Sequence, residues 1–189
     1  ARRDRNGGKV FRLEDCEPNL VTLLPLLQQK AKGLMFKLSP MLDITAALRA
    51  LSAAAWDTYV VAVENEVKEV LLLSSSNSEP RLTAVDLSPQ WQAGQPYKAL
   101  TVSLLDEQRA VPEMTNTIQR YIYEPNAAIL KAGLYNYVSA HFSIAKLSPN
   151  THLYTSDELI ADFPGRVWET CTPDEPLRQC NIVTRNYPL

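Results

Sequence analysis

The sequence predicts an α/β fold in which part of an open sheet ends in an antiparallel hairpin and is followed by a small α+β segment. Through the first 73 residues, helically spaced apolar residues alternate with short apolar runs, as in strands connected by helices. Beyond residue 116 the composition shifts, and shorter strand-like runs surround one helical pattern. With 189 residues, 46% of them hydrophobic, the chain can bury a core of ordinary size.

A first helix is predicted to begin after Asn19, whose side chain can cap it, and to end near Gly33. Its apolar residues recur at helical spacing: Leu20, Leu23, Leu24, Leu27 and Ala31. Pro25 lies inside this pattern and is expected to kink or delay the helix.

A buried strand is predicted at 34–37 (LMFK), because the run is apolar until its last residue and suits a strand covered on both faces. Asp43 is predicted to cap a second helix. The apolar face of that helix comprises Ile44, Ala47, Leu48 and Leu51. Two strands at 57–63 and 68–73 then follow with a tight connection, which predicts an antiparallel hairpin.

The second half is predicted from shorter patterns. Residues 81–88 and 97–105 indicate another hairpin, joined by a connection rich in Gly, Pro and Gln. Residues 106–116 are interpreted as a linker, and 120–125 as a strand. A helix is expected to start at Pro125 or Asn126. Its inward residues are predicted to be Ile129, Leu130, Leu134, Tyr137, Val138 and either His141 or Phe142.

The end of the chain carries one possible helix start and two strand candidates. Thr155 and Glu158 match a capping box for a short helix over 157–162. Strands are expected at 165–170 and 181–185.

Composition excludes several classes of protein. The net charge of −2 gives no overall electrostatic case for nucleic-acid binding, so such a case requires a local patch. The three cysteines, Cys16, Cys171 and Cys180, are odd in number and contain no CxxC, which argues against a disulfide framework and a structural zinc site. They are interpreted as buried thiols in a reducing cytoplasm. No apolar run approaches the ~18 residues of a membrane span.

Common catalytic motifs are absent from the sequence. It contains no GxxxxGK[ST], no GxGxxG and no GxSxG. Its two histidines, His141 and His152, have no second metal ligand at suitable spacing and are interpreted as structural. A self-contained nucleophilic or metal-dependent enzyme is therefore not expected.

Three loops carry the candidate functional residues. Residues 2–11 (RRDRNGGKVF) combine arginines suited to phosphate or carboxylate with two glycines, although a solvated loop with internal Arg–Asp pairs explains them equally well. Residues 37–43 (KLSPMLD) follow a predicted sheet strand, at the edge where open α/β sheets bind ligands. Asp43 is also explained as a helix cap alone. Residues 64–69 (ENEVKE) are most simply a solvated turn near the same rim.

Longer stretches of the sequence resemble a known family. These stretches are ARRDRNGGKVFRLEDCEPNL, KLSPMLDITAAL, VENEVKEVLLL, YIYEPNAAILKAGLYNYVSAHF, SPNTHLYTSDELIADFPGR and NIVTRNYPL. They are similar to the C-terminal half of class I S-adenosylmethionine-dependent methyltransferases found in Bacteroidetes. The resemblance implies a Rossmann-like catalytic domain, ferredoxin-like and THUMP-like segments after it, S-adenosylmethionine as cofactor and RNA as methyl acceptor.

The resemblance also implies domain boundaries. Residues 1–115 would be the C-terminal half of the methyltransferase domain with an extra hairpin, 116–166 the ferredoxin-like segment, and 167–189 the beginning of a THUMP-like domain. The opening residues resemble the end of an Asp-Pro-Ala-Arg-Arg motif that starts here at its Ala. The glycine-rich cofactor turn is then expected to be missing, and this chain alone is expected to be inactive.

Site residues carry over from the family motifs position by position. Arg2, Arg3, Lys37, Ser39 and Asp43 would line the methyl-transfer pocket and its rim. Ala1 and Pro40 would lie against the cofactor. The substrate would meet Asn65, Lys68, Glu69 and Arg185. Because the cofactor brings a reactive methyl-sulfonium, the protein needs mainly to align the acceptor and exclude water.

Two other interpretations stay open. The chain could be a non-catalytic RNA-binding or protein-interaction module, in which the arginine loop and the C-terminal strands bind phosphate. It could also associate with a second copy through the exposed edge of a partial sheet. No metal and no membrane partner is expected.

Overall fold

A computed structural model describes residues 12–51, 56–76 and 79–170, and the backbone alone at 183–184. The chain divides into two compact units, Ala1–Leu104 and Leu105–Leu189. None of the helices in the described ranges is long and apolar enough to cross a membrane.

The first unit contains two helices and one five-stranded sheet. In chain order its elements are α1 (Leu20–Lys30), β1 (Met35–Leu38), α2 (Ile44–Ala50), β2 (Trp56–Val63), β3 (Glu66–Ser74), β4 (Arg81–Leu87) and β5 (Ala99–Ser103). The strand order across the sheet is β1-β3-β2-β4-β5. The hairpins β2–β3 and β4–β5 are antiparallel, as the sequence predicts.

Both predicted helix caps are confirmed. The Asn19 side chain accepts hydrogen bonds from the backbone amides of Val21 and Thr22 at the start of α1. The Asp43 carboxylate accepts one from the Ala46 amide at the start of α2, at 2.7 Å. Pro25 lies within α1, which continues to Lys30 and is capped by Ala31 rather than Gly33. These side chains satisfy amides that have no partner inside a helix, so each helix start is defined locally.

Both helices pack into one core with the same face of the sheet. That core joins Leu24 of α1 and Leu48 of α2 to Phe36, Trp56 and Leu72 of β1, β2 and β3. The rings of Phe36 and Trp56 lie 5.0 Å apart. The indole N–H of Trp56 donates to the Leu51 carbonyl at 3.2 Å, so its one polar group is satisfied inside the core.

The prediction that the first strand is covered on both faces is wrong. Strand β1 alternates between exposed and buried residues, and Met35 is 66% exposed. The reason is that α1 and α2 both contribute to the core on the Phe36 face. Strand β1 pairs only with β3 and ends the sheet among the described residues.

The carboxyl ends of three strands lie at the same rim of this sheet. Strands β1 and β2 are both antiparallel to β3, so they run parallel to each other. Strand β4 pairs parallel with β2. The segments that leave β1, β2 and β4 therefore start from one edge, which we call the strand-end rim.

The second unit has a second five-stranded sheet with short helices. Its elements are α3 (Leu104–Arg109), β6 (Tyr121–Pro125), α4 (Ala127–Ala132), α5 (Tyr135–Phe142), β7 (Ala145–Lys146), β8 (Tyr154–Ser156), β9 (Gly165–Glu169) and β10 (Val183–Thr184). The strand order is β10-β9-β6-β8-β7, and every pairing is antiparallel. Strands β6, β9 and β10 confirm strands that the sequence predicts.

Two predictions for the second half of the chain are corrected, and a third is narrowed. Residues 106–116 are not a plain linker, since α3 extends through the first of them. The helix that Asn126 caps is interrupted at Gly133, whose φ of 75° is left-handed, and α5 begins anew at Tyr135. Of the two alternatives for the last inward residue, His141 is exposed and Phe142 is half-buried, with its ring 5.3 Å from that of Phe163.

The capping box predicted at Thr155 does not form. Thr155 lies in β8, fully buried, and its hydroxyl donates to the Tyr121 carbonyl at 2.8 Å. The same oxygen accepts from the Gln119 amide at 2.8 Å. With its hydroxyl engaged across the sheet, Thr155 cannot cap a helix, and residues 157–162 form turns instead.

The second unit has no room for a side chain at Gly165. A Cβ there would overlap the Glu124 carbonyl oxygen and lie 2.8 Å from Pro125 Cα and 2.9 Å from a Phe163 ring carbon. Two of these three atoms are backbone of the neighbouring strand, so they cannot move aside cheaply. Gly165→Ala is therefore expected to lower the free energy of unfolding by about 1–3 kcal/mol, measured by urea denaturation.

The matched control for this prediction is Gly33→Ala. The atom nearest to a Cβ at position 33 would be Ser74 Oγ, at an ordinary 3.9 Å, so little change is expected. Equal midpoints for Gly165→Ala and the unsubstituted chain would contradict the close approach of β6 and β9.

Candidate functional site

The strand-end rim gathers most of the predicted site residues that the structure describes. Ser39, Pro40 and Asp43 follow β1, and Asn65 lies in the turn between β2 and β3. Leu38, the last residue of β1, and Val60 of β2 both pair with Val70 of β3. Strand β2 continues for three more residues, so the β2–β3 hairpin extends beyond the end of β1 at this rim.

Lys37 and Glu69 form an ion pair across β1 and β3. The Lys37 ammonium lies 2.8 Å from the Glu69 carboxylate, and their side chains are 65% and 26% exposed. They lie on the sheet face opposite the core, diagonal to each other across the ladder. Two residues that were assigned separate roles, at the pocket and at the hairpin edge, are thus brought together by strand pairing.

The segment after β1 is organised by its own polar groups. Ser39 Oγ accepts a hydrogen bond from the Met41 amide at 3.3 Å, and the Leu42 amide donates to the Ser39 carbonyl at 3.1 Å. Pro40 is half-buried beside this turn. Asp43 then caps α2. These contacts give the segment a defined shape, and they use the oxygens that the sequence assigns to the site.

The turn of the β2–β3 hairpin is held from strand β4. Glu64 and Asn65 both have positive φ, 52° and 60°, as a two-residue hairpin turn requires. The Asn65 amide donates to both carboxylate oxygens of Asp86, at 3.1 and 3.0 Å. The Glu64 amide donates to the Leu87 carbonyl at 3.2 Å. Asn65 therefore has a clear backbone role, and asparagine is well suited to positive φ.

Asp86 is the charged group on which this turn depends. Burial raises its pKa, the Asn65 amide opposes that rise, and the negative charge of Glu64 adds to it. Sequence reasoning did not select Asp86, because the contact spans 21 residues and no local pattern indicates it.

Lys68 has a local partner. Its ammonium lies 2.6 Å from the Glu66 carboxylate, and both side chains are well exposed, at 44% and 75%. Exposed pairs of this kind contribute little to stability. Lys68 is thus accessible to a ligand at the rim.

Four predicted site residues fall outside the described ranges: Ala1, Arg2, Arg3 and Arg185. Cys171 and Cys180 do so as well, while Cys16 is buried, as the sequence predicts. No group of three or more His, Cys, Asp or Glu side chains in the described ranges is arranged to hold a metal ion.

A second cluster of polar and aromatic residues lies in the second unit. The Glu107 carboxylate accepts hydrogen bonds from the amides of Asn136 and Tyr137, at 3.0 and 2.8 Å, and so caps α5 from α3. Burial raises the pKa of Glu107, while both amide donors oppose the rise. A surface hollow beside this contact is lined by Asp106, Arg109, Ala110, Tyr137, Ala140 and His141.

The two histidines each stack on a tyrosine. His141 lies 5.1 Å from the Tyr137 ring, nearly parallel to it, with Nδ1 at 3.3 Å from the tyrosine hydroxyl. His152 lies 4.1 Å from the Tyr135 ring. These contacts agree with structural use of both side chains.

Comparison with known proteins supplies the remaining evidence. Residues 121–164 match a ferredoxin-like domain family. This match lies within the second unit. The chain is also similar to a crystal structure of a candidate methyltransferase from Porphyromonas gingivalis W83, with a TM-score of 0.76 and 31% sequence identity. No curated protein matches the sequence significantly.

The similarity to the Porphyromonas protein covers both units but only part of that protein. It extends over 89% of this chain and 41% of the other. The chain thus spans about two fifths of the length of its relative. Both the mixed α/β architecture and a likeness to a candidate methyltransferase are therefore established.

The raised pKa of Asp86 predicts a pH dependence. Between the ordinary value of 3.8 and the raised one, the folded state holds more protons than the unfolded state. The Asp86 contribution to the free energy of unfolding therefore falls as pH rises through that window. Asp86→Asn keeps an oxygen acceptor for the Asn65 amide without the charge. This substitution should remove the Asp86 part of the pH dependence and lower the free energy of unfolding by no more than about 0.5 kcal/mol at neutral pH.

The measurement is urea unfolding of the chain and the variant between about pH 4 and pH 7. Asp86→Ala is the matched control, because it removes the acceptor as well and should lower stability by about 1 kcal/mol at neutral pH. Identical pH profiles for Asp86→Asn and the unsubstituted chain would show that Asp86 is not perturbed.

Proposed function

We propose that this chain is the acceptor-side part of a class I S-adenosylmethionine-dependent methyltransferase that modifies RNA. The observation that carries the proposal is the similarity, at 31% identity and a TM-score of 0.76, to a candidate methyltransferase over 89% of this chain. The long motifs quoted above support the same family. RNA as the acceptor rests on the family resemblance.

The arrangement of the first sheet agrees with this proposal. In open α/β sheets, ligands bind outside the carboxyl ends of the parallel strands. Here those ends are brought together by β3, which runs antiparallel between β1 and β2. The rim carries Lys37, Asn65 and Lys68, whose side chains reach the surface where an acceptor would approach.

The described residues do not by themselves form a cradle for S-adenosylmethionine. Ser39 and Asp43 are engaged in local hydrogen bonds, and Lys37 pairs with Glu69. Pro40 offers only a half-buried ring. We therefore assign to this part of the chain the shaping of the acceptor side.

On this proposal the rim residues act by position and charge rather than by proton transfer. The cofactor, when bound, supplies an activated methyl group, so the protein needs mainly to orient the acceptor and exclude water. The ion pair between Lys37 and Glu69 fixes the charged side chain of β1 relative to the hairpin. Arg2 and Arg3 would complete the pocket wall, and residues 167–189 would begin a THUMP-like domain.

The test is methyl transfer by the complete gene product that contains this chain. With tritium-labelled S-adenosylmethionine and single-stranded RNA, label should enter the RNA. Lys37→Ala should lower the rate about tenfold, equivalent to about 1.4 kcal/mol of lost transition-state stabilisation. Lys30→Ala, at the exposed end of α1, is the matched control and should leave the rate unchanged.

The 189-residue chain alone provides a complementary measurement. Because its described residues form no cradle, titration calorimetry with S-adenosylmethionine should show no binding. Absence of label in RNA from the complete product would contradict the proposed activity, and micromolar cofactor affinity of the chain alone would contradict the assignment to the acceptor side.

A further inference from the structure

The loop between β4 and β5 holds two aromatic rings outside the core. Tyr97 is 56% exposed, although a tyrosine of a soluble domain is usually covered for most of its area. Trp91 is half-buried, and its ring lies 6.1 Å from that of Tyr97 in an edge-to-face arrangement. The family motifs and the cofactor assignment leave this loop, residues 88–98, without a role.

Hydrogen bonds within the loop fix the position of the Trp91 ring. The Trp91 indole N–H donates to the Gln95 carbonyl at 3.1 Å, and its amide donates to the Ser88 carbonyl at 3.0 Å. The Gln92 backbone amide donates to Gln95 Oε1 at 2.8 Å, and the Gln95 backbone amide donates to the Gln92 carbonyl at 3.0 Å. Gly94, with φ of 92°, permits the reversal. A ring held in this way loses little conformational freedom when a ligand binds, and Tyr97 packs against it edge to face.

The loop leaves β4 at the strand-end rim. Asp86 and Leu87, the last residues of β4, accept the hydrogen bonds from Asn65 and Glu64 that hold the hairpin turn. The aromatic loop therefore starts beside the hairpin, on the edge of the sheet assigned above to the acceptor.

We propose that the exposed ring of Tyr97, with the perpendicular Trp91 ring beside it, forms a stacking platform for an unpaired nucleobase of the RNA acceptor; this inference rests on the proposed function. Single-stranded RNA is commonly recognised by stacking its splayed bases on aromatic side chains. The exposed amides of Gln90 and Gln92 lie in the same loop and can pair with the donors and acceptors of a base edge.

The surroundings of the rings favour a base over a protein side chain. Protein hot spots are closed off from water by well-packed neighbours. Between Ser88 and Lys98 the sequence contains no Leu, Ile, Val, Met or Phe. The rim of the platform is instead made of amides, which suit a planar heterocycle with polar edges.

Charges of both signs lie near the loop: Glu64, Glu66 and Lys68 in the adjoining hairpin, and Lys98 next to Tyr97. The Tyr97 ring itself is uncharged, so it would contribute stacking rather than a phosphate contact. Removal of the Tyr97 ring should therefore weaken RNA binding by the same factor at every salt concentration. Loss of a phosphate contact would instead reduce the slope of log affinity against log salt.

The experiment is a tryptophan fluorescence titration of the full 189-residue chain with a short single-stranded RNA of mixed sequence, without cofactor. Of the three tryptophans, Trp56 is buried in the core, so quenching reports on Trp91 or Trp168. Trp91→Phe keeps a ring at the platform and should abolish the quenching while leaving affinity, measured by anisotropy of labelled RNA, within a few fold.

Substitution of the second ring supplies the affinity test. Tyr97→Ala should weaken binding about tenfold, within the range for one stacked base. Tyr97→Phe is the matched control and should bind as the unsubstituted chain does. Because Tyr97 is 56% exposed, both variants should unfold at the same urea concentration as the unsubstituted chain.

Three outcomes would overturn the platform: no binding of single-stranded RNA, equal binding by Tyr97→Ala, or equal binding of a duplex of the same sequence. Because binding is measured without cofactor, it is independent of methyl transfer. A chain that binds RNA through Tyr97 but transfers no methyl group would refute only the proposed activity. A product that methylates RNA with Tyr97→Ala unimpaired in binding would refute only the platform.

Discussion

The hydrogen-bond ladders that β3 makes with β1 on one side and β2 on the other position the rest of the first unit. Eight residue pairs join β2 to β3, and four join β1 to β3. An antiparallel strand between two others forces those two to run parallel, so their ends reach the same edge. Every feature assigned to the acceptor side follows from that geometry. The Lys37–Glu69 pair exists because the ladder sets Lys37 diagonal to Glu69, and the hairpin turn reaches Asp86 because β4 continues parallel to β2.

The hairpin side of the rim is held by hydrogen bonds from a neighbouring strand. Glu64 and Asn65 adopt positive φ, which costs an L-residue free energy. The carboxylate of Asp86 and the carbonyl of Leu87 offset that cost by accepting the two turn amides. These hydrogen bonds connect the turn to β4, which pairs with β5. The loop that holds Trp91 and Tyr97 follows Asp86 and Leu87 directly.

Sequence reasoning succeeded where the determinants are local. Asn19 and Asp43 cap their helices because a cap needs only a side-chain oxygen and an amide two or three residues away. It failed where distant contacts decide. The capping pattern at Thr155 is overridden by hydrogen bonds to Tyr121 and Gln119, residues more than thirty positions earlier. The exposure of Met35 could not be anticipated, because a four-residue apolar run does not reveal that both flanking helices join one core.

The same limit applies to the site. The resemblance selected Lys37, Ser39, Asp43 and the hairpin, and the structure gathers these at one rim. The partners that hold them, Glu69 for Lys37 and Asp86 for Asn65, emerge only from strand pairing. The sequence predicts only a polar connection at Trp91 and Tyr97, since nothing in PQWQAGQPY indicates that four hydrogen bonds shape the loop beside an exposed ring.

The central claim is that RNA meets this protein at the strand-end rim. The most direct measurement is ultraviolet cross-linking of single-stranded RNA to the complete gene product, followed by mass spectrometric identification of the cross-linked peptides. The account predicts cross-links in residues 37–43, 64–69 and 88–98. Cross-links confined to the second unit, with none at the rim, would contradict it.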